Sequence, residues 1–232
     1  MRIWDIDPGY LNRQSLLDEH LQLHDLVSII VDEKQGDSHH PETLRWIHFG
    51  WALQQRHRQI SAEIKLRGYQ DQLPISLQSA KGTWPSAYID SPSRQFEILL
   101  SKYQTSESGR ITIPKNAQEI WRQHKYSVMA RSNNYYREIG KQVATYSPKD
   151  DFSDIVKTLS ELLRVTPSKG GIRNATQHMW GYVADLEATP AKTIEQWSLT
   201  EMLTEIQHRA MKYNVAYITS STALAELMVW ID

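Results

Sequence analysis

The chain contains no cysteine. That absence excludes a disulfide scaffold, a thiolate zinc site, an iron–sulfur cluster and a cysteine nucleophile. It accords with a reducing compartment, so a cytoplasmic location is expected, nucleoid-associated if the protein binds DNA. No apolar run approaches the roughly 20 residues that a membrane span requires. No basic-then-apolar leader opens the sequence either, because Asp5 and Asp7 come too early. No membrane partner is expected. An excess of one charge sign is also missing, the net charge being −1. Phosphate neutralisation dominates nucleic-acid affinity, so any such binding must come from a local basic patch. There is no Gly-rich phosphate loop and no Gly-x-Ser-x-Gly elbow, and no cofactor is implied.

What is present is helical periodicity. Leu16, Leu17, Leu21, Leu23, Val27 and Ile30 recur close to the helical spacing over 11–30. The polar stretch 33–38, with Gly36, reads as a loop. Pro41 suits a helix first turn, and the pattern then runs through Trp46, Trp51, Leu53 and Ile60 to Leu66, with Gly68 as a stop. Residues 71–92 are rich in Pro, Ser and Gly and read as an irregular connector. A short helix over 93–103 and a short extended piece over 107–114 follow. Asn116 with Glu119 three residues later signals a capped helix start. Further helices are predicted at 133–146, 151–164, 171–188, 191–213 and 220–230. With neither an internal repeat nor a low-complexity segment, the expectation is an all-α protein. It comprises two small helical domains, 1–115 and 116–232, packed together, with an irregular connector inside the first.

The N-terminal sequence carries the chemistry. Met1-Arg2-Ile3-Trp4-Asp5 precedes a helix containing Gln14 and Leu16-Leu17-Asp18-Glu19-His20-Leu21-Gln22-Leu23. Further on stand His39-His40-Pro41-Glu42-Thr43-Leu44-Arg45-Trp46 and Leu53-Gln54-Gln55-Arg56-His57-Arg58-Gln59-Ile60, leading to Leu66-Arg67-Gly68-Tyr69. In order and spacing these pieces resemble the phage-type, endonuclease V-like pyrimidine-dimer DNA glycosylase/AP lyase family. The resemblance implies DNA repair on damaged duplex DNA. It implies an N-terminal amine as nucleophile, which attacks C1′ of a sugar, forms an imine and cuts the strand by β-elimination. An α-amine titrates near 7.7–8.0, so a useful fraction is neutral without special tuning. Arg2 is bulky, so retention of Met1 is expected.

The same resemblance implies a catalytic carboxylate on the first helix, at the position that Gln22 occupies here. Glutamine cannot ionise and cannot stabilise a developing cation as an anion does. Glu19, three residues earlier on the same face, is the candidate for a displaced carboxylate; its bland reading, with Asp18, is a solvated helix-face acid. Arg2 matches a phosphate or lesion contact. Leu21 and Asp25 stand where the family carries arginines. Activity is therefore expected to be weakened, and whether the chain is an enzyme stays open. His20 and His24, at i and i+4, are spaced for a metal. No third ligand is evident nearby, so no metal site is assigned, and the reading is a polar role lining the nucleic-acid groove or a surface role. Trp46 and Trp51 read as core. Arg45, Arg56, Arg58, Lys65 and Arg67 form a basic run that is either a solvated face or a phosphate-tracking one.

In the second part the marks are His124-Lys125-Tyr126-Ser127-Val128-Met129-Ala130, Tyr136-Arg137-Glu138-Ile139-Gly140, Arg173-Asn174, Gln177-His178 and Gly181-Tyr182. They resemble an uncharacterised helical domain found behind thiouracil-desulfurase-like domains and beside photolyases. Lys125, Arg137 and Arg173 with the neighbouring aromatic and amide groups either form a nucleic-acid site or an interhelical polar network. The alternative to a repair enzyme is thus a non-enzymatic nucleic-acid-binding or adaptor module for DNA or RNA.

Overall fold

A computed structural model describes residues 1–32, 39–70, 74–75, 77 and 81–231. The loop expected at 33–38 lies outside them, as does part of the connector at 71–92. Among the described residues every regular element is helical, and the fold is all-α. The chain divides into two units, 1–109 and 110–232; the sequence-based boundary was set six residues later.

In the first unit an extended segment, residues 1–7, leads through a short 3₁₀ turn into α1 (Arg13–Asp32), α2 (Pro41–Trp46), α3 (Gly50–Leu66) and α4 (Pro92–Lys102). Each start has a local cause. Asn12 Oδ1 accepts the Ser15 N–H at 2.8 Å at the head of α1. His40 caps α2 ahead of Pro41, and Ser91 caps α4 ahead of Pro92. The helix predicted to run unbroken from Pro41 to Leu66 is in fact two. Phe49 leaves the helical region at φ −119°, ψ 41°, and α3 restarts at Gly50. Gly68 ends α3 at φ 79°, a left-handed conformation that glycine adopts at little cost. Helices α1 and α3 pack face to face over a core that includes Leu16, Leu23, Leu26, Leu53, Ile60 and Ile64. Trp46 is buried as expected, while Trp51 is half-buried and meets Trp84 edge-on.

The second unit comprises α5 (Ala117–Arg131), α6 (Asn133–Val143), α7 (Ser153–Leu163), α8 (Lys169–Trp180), α9 (Ala191–Gln196), α10 (Leu199–Lys212), α11 (Ala216–Thr219) and α12 (Ala223–Glu226). The central helix is α5, packed by α6, α7 and α8. Asn116 caps it, accepting the Glu119 N–H at 2.9 Å. The predicted 191–213 helix is interrupted because Trp197 turns extended and Ser198 opens a fresh capping box with Glu201. Gly171 allows the closest approach: a Cβ there would lie 1.9 Å from the Ala130 carbonyl oxygen. The extended piece over 107–114 forms no strand. Buried arginines tie loops to helices. Arg131 pairs with Glu226 at 2.9 Å and donates to the Leu163 and Val165 carbonyls, and Arg209 donates to the carbonyls of Val183, Ala184 and Glu187.

Candidate functional site

The N-terminal segment is held by side chains from three helices, one backbone N–H at a time. Arg2 N–H donates to Gln22 Oε1 of α1. Ile3 N–H donates to Glu42 Oε1 of α2 at 3.0 Å. Trp4 N–H donates to Glu19 Oε1 of α1 at 3.1 Å, and Asp5 N–H to Gln95 Oε1 of α4 at 2.8 Å. An extended segment has no internal partners for these donors, and each is costly if buried unpaired. Four consecutive donors are thus met by four distant acceptors, which fixes the register of the segment residue by residue.

The acceptors are themselves braced. Glu42 Oε2 accepts from Arg45 Nε at 2.9 Å and Trp46 Nε1 at 3.2 Å. Arg45 donates further to both Asp5 carboxylate oxygens at 2.9 Å and to the Ile3 carbonyl at 3.1 Å. Glu19 receives Arg56 in a bidentate pair at 2.8 and 2.9 Å, and Arg56 also donates to the Ile6 carbonyl at 2.8 Å. Burial pushes the Glu19 carboxyl up from its ordinary value, opposed by the Arg56 guanidinium and the Trp4 N–H.

Met1 is left half-exposed at the end of this anchored segment, its α-amine 3.5 Å from His40 Nε2. As the cap of α2, His40 Nδ1 accepts the Glu42 N–H at 3.1 Å. In the neutral ring the hydrogen therefore sits on Nε2, facing the amine. Arg2 projects beside it, ion-paired with Asp90 at 2.7 Å and 5.0 Å from the centroid of the Trp4 ring.

This geometry revises several expectations. Glu19 is not a solvated helix-face acid: it is buried, and Arg56 and the Trp4 N–H occupy its oxygens. Arg45 and Arg56 are not a phosphate-tracking face. They are buried and committed to carboxylates and carbonyls, because their task is to brace the N-terminal segment. His20 is buried too, and cannot line a nucleic-acid groove; His24 is half-buried beside it. Gln22 does lie at the N-terminus, through Arg2. Leu21 and Asp25 are exposed. Missed from sequence were His40, Glu42, Asp90 and Gln95. Pro41 marked the helix start in the sequence, but the contact of His40 with Met1 spans 39 residues.

In the second unit Arg137 and Arg173 are exposed on α6 and α8. No hydrogen bond or ion pair joins them to Lys125 among the described residues. His124 is buried, and burial, followed by the Arg131 charge, lowers its pKa to about 3, so it is a neutral core group rather than a nucleic-acid contact. Lys125 instead meets tyrosines. Its ammonium donates to the Tyr217 hydroxyl and lies 4.8 and 4.7 Å from the centroids of the Tyr126 and Tyr217 rings. Tyr217 stacks on Tyr182 at 4.7 Å, and Tyr182 is exposed. Burial would raise the Tyr217 phenol, but Lys125 and the neighbouring tyrosines outweigh it and leave it lowered.

Residues 1–77 match the family model described as pyrimidine dimer DNA glycosylase, which relates this segment to DNA-repair glycosylases. Residues 125–226 match a family model described as a protein of unknown function (DUF1722). No curated protein and no solved structure matches the chain. No helix among the described residues is long and apolar enough to cross a membrane.

Proposed function

We propose that the chain is a DNA-repair protein that uses the Met1 α-amine to form an imine with damaged duplex DNA, with base excision weakened by Gln22. The observation that carries this reading is the anchoring of the four N–H groups of residues 2–5. Burial alone requires these N–H groups to be paired; pairing them to side chains of three helices also holds the amine in one place, as a nucleophile requires. The neutral amine attacks C1′ of a ring-opened abasic sugar, water leaves, and an imine forms. Loss of a C2′ proton then expels the 3′ phosphate and cuts the strand. Excision of an intact base is harder, because positive charge develops on the sugar and Gln22 supplies no anion to balance it. Abasic sites are therefore the better substrates, and intact pyrimidine dimers the poorer ones.

The test is borohydride trapping on abasic duplex and on ultraviolet-irradiated duplex. A covalent protein–DNA adduct on the abasic duplex supports the reading, and its absence there removes it. Gln22→Glu is expected to raise dimer excision on the order of a hundredfold, since an anion placed at developing positive charge is commonly worth about 3 kcal/mol. The glutamate can still accept the Arg2 N–H, so the fold is retained. A folded variant no better than the parent would mean that Leu21 and Asp25 have already disabled DNA engagement.

A second reading, nucleic-acid binding through the second unit, is favoured by one observation. Tyr182 stacks on Tyr217 beside the Lys125 ammonium, which gives an exposed aromatic face next to a cation, the combination that holds an unpaired base. DNA or RNA would serve. Tyr182→Ala is expected to weaken binding of a short single-stranded oligonucleotide by about 1–3 kcal/mol, the usual worth of one stacked base. Unchanged affinity in titrations of the folded variant would return the cluster to a structural role, as would equal loss in both Tyr182→Ala and Tyr182→Phe.

A further inference from the structure

We infer that His20, His24 and His57 form a metal centre for zinc or a similar divalent transition ion. The sequence showed only the first two, at i and i+4 on α1. The structure adds His57 from α3. The three Nε2 atoms form a nearly equilateral triangle, with separations of 3.1 Å (His57–His20), 3.3 Å (His57–His24) and 3.4 Å (His20–His24). Three nitrogens at about 2.0–2.1 Å from a tetrahedral zinc ion lie about 3.3–3.4 Å apart. The observed triangle therefore fits the base of such a tetrahedron.

Hydrogen bonding among the rings does not account for this arrangement. Each imidazole nitrogen is either a donor or an acceptor. Three of them in mutual contact cannot alternate, so at least one edge pairs like with like. A cation shared by all three removes the conflict, because each then presents a lone pair. The outer nitrogen supports this: Ser61 Oγ, one helical turn on from His57, lies 3.5 Å from His57 Nδ1. A hydroxyl can accept the Nδ1 hydrogen, and in that tautomer Nε2 keeps its lone pair for the metal, as with outer partners of histidine ligands.

The site lies on a separate face of α1 from the amine chemistry. His20 and His24 each stand two residues from Gln22, roughly 200° round the helix. It sits instead in the α1–α3 interface, where His57 follows Arg56 and His20 follows Glu19. A metal there clamps the two helices whose Glu19–Arg56 pair braces the N-terminal segment. With three neutral imidazoles the ion keeps its full positive charge, and the fourth position falls to water or a small anion, as in other three-histidine sites. His20 and His57 are buried while His24 is half-buried, so that approach opens on the His24 side.

The experiment uses the full chain, stripped with chelator and titrated with zinc and, separately, with cobalt(II). The expected result is about one ion per chain, an intense visible spectrum of four-coordinate cobalt, and a higher melting temperature with zinc. His24→Ala, chosen because its ring is half-exposed, should lose both the binding and the zinc-dependent shift. Failure of the wild type to bind either ion overturns the site, as does the weak spectrum of six-coordinate cobalt. Undiminished binding by folded His24→Ala overturns it equally. If that variant does not fold, the cobalt spectrum of the wild type decides alone.

Discussion

Extending the chain by two residues ahead of Met1 is expected to abolish imine trapping while leaving the melting temperature unchanged. The extension turns the Met1 amine into an amide. An amide nitrogen has no available lone pair, so attack on C1′ stops rather than slows. The new terminus lies up to about 7 Å further along the chain, beyond any register that residues 2–5 impose. The fold should survive, because the anchoring bonds come from the N–H groups of Arg2, Ile3, Trp4 and Asp5, none of which is altered. Met1 is half-exposed, which leaves room for the added residues. The measurement is borohydride trapping on abasic duplex beside a thermal melt of the same sample, with the intact mass of the parent protein confirming that Met1 is its first residue. Trapping at the parental level would exclude the α-amine and point to a lysine instead.

The helical class and most helix starts were legible in the sequence because they rest on local chemistry. Asn116, Pro41 and Gly68 act over three or four residues, and each marks a helix end in the structure. The interruption at Phe49 was not legible, since apolar periodicity runs through it. The one at Trp197 had a local mark that the periodicity overrode, the capping box of Ser198 and Glu201. For the site, the acidic and basic residues of α1, α2 and α3 looked like surface chemistry. Glu19 and Arg56 are buried against each other, and Arg45 against Asp5 and Glu42, with partners up to 40 residues away. Such pairings leave no periodic trace. His57 escaped notice for the same reason, being 33 residues from His24. What could be read locally was the helical position of Gln22; what could not was the partner each side chain would find.

Removing Glu19 should strongly destabilise the first unit. Glu19→Ala leaves the buried Arg56 guanidinium without its carboxylate, and breaking such a pair by deleting one partner typically costs about 3–5 kcal/mol. The Trp4 N–H loses its acceptor in the same step. Replacing both charges with apolar groups, as in Glu19→Leu with Arg56→Met, should recover much of that loss, since the desolvation cost of a buried ion pair offsets most of its attraction. The Ile6 carbonyl then loses its Arg56 donor, which limits the recovery. The two variants separate folding from function. If the pair exists chiefly to hold the N-terminal segment in register, the double variant melts near the parent yet traps less abasic DNA, because the brace at Trp4 is gone. Urea denaturation gives the stability of each form, and trapping yield gives the register. A cost below about 1 kcal/mol for Glu19→Ala would place the pair among exposed ion pairs, which contribute little. Full trapping by a stable double variant would mean that Gln22, Glu42 and Gln95 hold the segment without it.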